Sequence, residues 1–76
     1  MVNRGSVVPP WRQLAEILRT RIADGTYPPG GRIPSVLSLS QEFEVAPGTA
    51  RKALAALQSE GLVESRTGWG SFVAAP

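Results

Sequence analysis

The sequence predicts a mainly α fold closed by a small β-hairpin, in the order helix, helix, helix, strand, strand. Three observations lead there. Apolar residues recur at helical spacing in three separate stretches. Clusters of proline and glycine punctuate those stretches. After Gly61 the helical period gives way to two short runs around a glycine-bounded turn.

Residues 1–9 carry no period and end among prolines, so they are read as a flexible arm, with the folded domain over 10–74. Trp11, Leu14, Ala15, Leu18 and Ile22 then lie on one face of a first helix, about 10–24, while Arg12, Glu16, Arg19 and Asp24 point elsewhere. Gly25 supplies its stop. The stretch Gly25 to Gly31 is too rich in turn formers to continue the helix, and Arg32-Ile33 is expected to pair briefly as an edge strand. Ser35 is placed to cap a short second helix, about 36–44, built on Val36, Leu39 and Phe43. Val45 pins the tight turn that follows. Pro47 suits the first position of a third helix, about 47–60, because a missing N–H costs nothing there. Ala50, Ala53, Leu54 and Leu57 form its buried face; Gly48, Lys52, Ala55 and Ser59 lie opposite, with Arg51 at the flank. Gly61 ends it. Leu62–Arg66 and Ser71–Val73 read as strands joined by the turn Thr67–Gly70.

Composition removes several classes of function. The 76 residues make one small domain, and they contain no cysteine and no histidine. Disulfides, thiolate metal sites, a cysteine nucleophile and the commonest general base are therefore out of reach, and neither a metal nor a cofactor is expected. Glu42, Glu44, Glu60 and Glu64 look like solvated positions rather than a paired-carboxylate site. Eight Lys/Arg against six Asp/Glu give a net charge of +2, which mildly favours an anionic partner. No apolar run approaches the roughly 20 residues of a membrane span, and the N-terminus lacks a signal-peptide pattern, so a cytoplasmic location is expected.

Two short helices joined by a tight turn make a helix-turn-helix candidate, whose second helix enters the major groove of DNA by its N-terminal end. Here that end reads Pro47-Gly48-Thr49-Ala50-Arg51-Lys52. The small residues permit close approach. Thr49 can hydrogen-bond a base or phosphate, Arg51 can make the bidentate contact that guanine favours, and Lys52 suits a phosphate. The hairpin adds a wing, with Arg66, Thr67 and Gly68 within reach of the backbone or minor groove. On the residues alone a protein-interaction module stays open, because an Arg-Lys pair can be a solvated face and Thr49 a local backbone bonder.

These motifs together resemble the DNA-binding domain of the GntR family of bacterial regulators. The resemblance covers residues 9–73. It is carried by Pro10 to Ala15, Ile22 to Gly30, Arg32 to Ser35, Leu39 to Val45, Thr49 to Leu54, Leu57 to Leu62 and Gly68 to Val73. It implies a winged helix-turn-helix that binds double-stranded operators as a homodimer, most simply as a repressor. It implies DNA-contacting roles for Ser35, Thr49, Arg51, Gly68 and Gly70, and a place near the DNA backbone for Trp11, whose alternative is the first core position of its helix. Two positions depart from the family: Leu37 and Pro47 stand where arginine or another polar residue is frequent. Their loss shifts load onto Arg51, Lys52, Arg66 and Arg4, and Leu37 is free to pack on a partner chain. Trp69 is expected to fold back on the hairpin or the third helix. The family usually adds a C-terminal effector domain; the stretch Met1–Pro76 reads as a stand-alone regulator without a small-molecule site, with an excised N-terminal piece as the alternative.

Overall fold

A computed structural model of the chain describes residues 2–3, 5–66, 68 and 70–74. It is a winged helix-turn-helix: α1 (Pro10–Ala23), α2 (Val36–Phe43) and α3 (Pro47–Ser59), then an antiparallel hairpin of β1 (Val63–Arg66) and β2 (Gly70–Val73). Helix α3 lies at the centre, packed on α1, α2 and β1. Leu14, Leu18, Leu39 and Leu57 from the three helices and Ile33 from the intervening loop are fully buried, with Val63 and Val73 closing the core from the sheet.

Local chemistry sets the boundaries. Helix α1 begins behind Pro9 with Pro10 at its first position, and it ends at Asp24, after which Gly25 takes φ 86°. The Asp24 carboxylate accepts hydrogen bonds from the Thr26 N–H (2.9 Å) and hydroxyl (2.6 Å), which hold it below the usual carboxylate range. Ser35 caps α2 as expected: its Oγ accepts the Ser38 N–H at 3.1 Å. The helix stops one residue earlier than the periodicity suggests, because Glu44 adopts a left-handed conformation (φ 54°, ψ 47°). That turn is stapled twice: the Val45 N–H donates to the Ser40 carbonyl (3.1 Å) and the Ser40 hydroxyl donates to the Val45 carbonyl (2.6 Å). Burial of the Val45 side chain fixes the bend and so the angle at which α3 leaves it.

The wing differs from its expectation at both ends. Leu62 precedes β1, although its carbonyl accepts the Ala74 N–H at 2.9 Å. Gly70, expected in the turn, instead opens β2 opposite Arg66 in the register Val63↔Val73, Glu64↔Phe72, Ser65↔Ser71, Arg66↔Gly70. Cross-strand pairing claims it because a glycine at φ 97° still offers its backbone to the ladder. The short edge at Arg32-Ile33 does form. Arg32 bridges to Phe72, the Ile33 N–H donates to the Ser71 carbonyl at 2.8 Å, and the Val73 N–H donates to the Gly31 carbonyl at 2.8 Å. The loop before α2 thus lies against the free edge of β2 through a single bridge, beside the two-stranded sheet. Gly31 is required there, since a Cβ would lie 2.8 Å from the Pro28 carbonyl oxygen.

A candidate DNA-binding face

The first turns of α3 stand clear of the core. Pro47, Gly48, Arg51, Lys52 and Ala55 are exposed, Thr49 is half-buried, and Ala50, Ala53 and Leu54 behind them are buried. The fold therefore brings Gly48, Thr49, Arg51 and Lys52 together on one helix end, as the sequence suggested. Proline at the first position, rather than a side-chain cap, starts this helix. Pro47 brings no N–H, and the Thr49 and Ala50 N–H groups donate to the Ala46 carbonyl (2.9 and 3.2 Å), so the exposed Gly48 is the position of this turn whose amide can face an anion.

Among the described residues the cations fall into two sets. Arg19 forms a two-pronged contact with Glu60, Nε to Oε1 at 3.0 Å and Nη2 to Oε2 at 2.6 Å, and also pairs with Glu16. Its guanidinium holds the Glu60 carboxyl below its ordinary range. Arg21 donates to the Tyr27 hydroxyl (2.9 Å), pairs with Glu42 (2.9 Å) and lies 5.0 Å from the centroid of the Phe43 ring. The Tyr27 bond and then Glu42 push the Arg21 guanidinium further up. Among the described residues, Arg12, Arg32, Arg51 and Lys52 have no carboxylate partner. Arg66 has only a loose one, Glu64 at 3.7 Å.

Two sequence-predicted site residues, Lys52 and Arg66, have partners that the sequence did not reveal, and a third, Ser35, is held in the cap expected of it. The Lys52 ammonium sits 4.9 Å from the Trp11 ring centroid, so the first turn of α1 braces the exposed side of α3 through a cation–π contact. Trp11 is half-buried, between the two roles open to it. Arg66 lies over Phe72, 5.3 Å from its centroid. Ser35 uses its hydroxyl in the cap, accepting from the Ser38 N–H and donating to Ser38 Oγ at 3.1 Å. Gly68 is exposed at the hairpin connection with φ 80°. Thr67, Trp69 and Arg4 lie outside the described residues. Leu37, one of the two departures, is 62% exposed on the first turn of α2. At the other end of the chain, the Gln13 side chain grips the segment before α1. It accepts from the Asn3 N–H (2.6 Å) and donates to the carbonyls of Asn3 (2.6 Å) and Val8 (2.7 Å).

Comparison with known proteins agrees with this architecture. Residues 4–73 match the family described as bacterial regulatory proteins, gntR family. RB1450 of Rhizobium meliloti (strain 1021), described as an uncharacterized HTH-type transcriptional regulator, is 41% identical over 73 residues, 96% of this chain and 30% of that protein. The HTH-type transcriptional repressor NagR of Bacillus subtilis (strain 168) is 35% identical over 75 residues, 99% of this chain and 31% of its own length. The chain thus spans just under a third of these curated relatives. Among solved structures, AraR(DBD) in complex with operator ORX1 superposes with a TM-score of 0.88 at 36% identity, covering 97% of this chain and 92% of that one. Matched by sequence along nearly its whole length and by fold to a DNA-binding domain of the same architecture, the chain belongs to the gntR family of bacterial regulatory proteins.

Proposed function

We propose that this chain binds double-stranded DNA sequence-specifically and regulates transcription as a repressor in the cytoplasm. One observation carries the reading: Arg51, exposed and without an acidic partner among the described residues, stands beside Gly48 and Thr49 on the protruding end of α3. In the major groove that end offers a guanidinium to guanine and a hydroxyl to a neighbouring base or phosphate. Lys52, braced on Trp11, meets a phosphate beside the groove. Gly68 brings the hairpin connection toward the adjacent minor groove, Thr67 adds a hydroxyl to that contact, and Arg66 and Gly70 support it from the hairpin stem. Ser35, exposed at the start of α2, contacts a backbone phosphate there while its hydroxyl keeps the helix start ordered. Two copies on a two-fold operator give the affinity that one half-site lacks.

Selection of bound duplexes from a random pool tests this directly. A recovered pair of inverted half-sites is the expected result; recovery of unenriched sequence overturns sequence-specific binding. The exposed Leu37 favours a second reading, an apolar protein contact from the start of α2. In that case duplexes are not retained even in dilute salt, and backbone amide shifts on α2 rather than α3 respond to the partner.

A further inference from the structure

The outer face of the wing holds, beside Arg66, a second arginine, Arg32, to which the sequence pattern gave no part in binding. Residues paired across a sheet share a face, so Glu64, Arg66, Phe72, Gly70 and the bridged Arg32 lie on one side, opposite the buried Val63 and Val73. Strand β2 runs down the middle. From one flank, Arg66 leans over the Phe72 ring. From the other, Arg32 reaches along the strand to Gly70. A Cβ on Gly70 would stand 3.3 Å from Arg32 Nη2, 3.4 Å from Nε and 3.7 Å from Cζ, so the guanidinium rests where glycine leaves the sheet bare.

Three features separate this arginine from a solvated surface charge. Its backbone is clamped to β2 on both sides, through Gly31 and Ile33, which sets the direction of the side chain. Its guanidinium seats against Gly70, so less freedom is lost on binding. It has no carboxylate partner among the described residues, whereas Glu64 lies beside Arg66. A planar, uncompensated guanidinium held at the stem of a wing matches the fork of a phosphodiester. We propose that Arg32 binds a backbone phosphate of the duplex, acting with Arg66 from the two flanks of β2, so that the loop before α2 contributes to the wing. The proposal rests on the DNA-binding reading above and extends it to a residue outside the helix-turn-helix and the hairpin.

The test is a salt titration of binding to a fluorescently labelled random-sequence duplex, followed by anisotropy, with the wild-type chain and the variants Arg32→Ala, Arg32→Gln, Arg32→Lys and Lys52→Ala. Loss of one phosphate contact lowers the slope of log K against log salt by about 1. Arg32→Ala and Arg32→Gln are expected to show that drop, with the same factor of weakening on the selected operator as on random duplex. Arg32→Lys keeps the slope. The Gln variant retains an aliphatic stem over Gly70, so it reports on charge even if the Ala variant loosens the hairpin. An unchanged slope in both neutral variants, while Lys52→Ala lowers it, overturns the role of Arg32 and leaves the DNA reading standing. A loss confined to the selected operator makes Arg32 a base reader and likewise overturns the phosphate assignment. A wild-type chain that binds no duplex in dilute salt overturns the DNA reading itself.

Discussion

On α1, Arg19 and Arg21 turn their charge inward, onto Glu60, Glu42, Tyr27 and Phe43; on α3 and at the wing stem, Arg51 and Arg32 meet no acid among the described residues. The residue type is the same and the net charge of the whole chain is only +2. What differs is whether the fold supplies an anion. The inward pair joins elements: Arg19 ties α1 to the end of α3, and Arg21 ties α1 to α2 and to the turn at Tyr27. The outward pair leaves part of the surface more basic than the overall composition suggests, and that uneven distribution matters more for an anionic partner than the total.

The core behind both sets should give the largest effect. Leu39→Ala removes a fully buried side chain where α2 meets the rest of the core. It should cost about 2–5 kcal/mol, a large part of the stability of so small a domain, as read from urea unfolding. A cost below about 1 kcal/mol would mean that α2 is not part of the cooperative unit, and the comparison would lose its rigid frame.

Arg51→Ala sharpens the contrast from the outward side. Binding to a selected operator should weaken by about 1–3 kcal/mol, with less loss on random duplex. Stability should stay within about 0.5 kcal/mol, since the exposed side chain pairs with no acid or ring among the described residues. A lowered melting temperature with unaltered binding would move Arg51 into the inward set.

The mirror experiment is Arg21→Ala. It removes the Tyr27 hydrogen bond, the Glu42 pair and the stacking on Phe43, for about 1 kcal/mol of stability, with affinity per folded molecule retained. Stability unaltered and affinity lost would reverse the assignment.

The smallest effect is one of pH. Glu60 is held below its ordinary range by Arg19, and Asp24 by Thr26. Their unfolded-state values are higher, so the stability they add is complete above about pH 5 and declines as acid protonates them through their lower folded values. Thermal melts between neutral pH and pH 3 should show this decline, and Glu60→Gln should flatten part of it. An unaltered profile in that variant would show that the Arg19–Glu60 contact contributes nothing in solution.

Much of this arrangement was legible residue by residue. Periodicity found all three helices, Ser35 and Pro47 marked two starts, and Gly25 and Gly61 marked two stops, because each acts within one or two turns of backbone. The exposure of Gly48, Lys52, Ala55 and Ser59 on α3 follows from the same spacing. Gly70 reads as turn from the sequence because a glycine so soon after Gly68 suggests loop; only its partner Arg66 reveals a strand position. Trp11 and Lys52 each looked ambiguous alone, and their contact joins residues from helices far apart in sequence.

The order of elements, their caps and the face of α3 that stays in water are properties of neighbouring residues, and the sequence determined them unaided. Which arginines are neutralised was decided by tertiary structure. Arg19 meets an acid 41 residues away, and Arg32 finds its seat on Gly70 only once the loop before α2 lies against β2. Backbone preferences act over a turn of chain, whereas the pairing of a charge depends on whatever the finished fold carries to within a few ångströms of it.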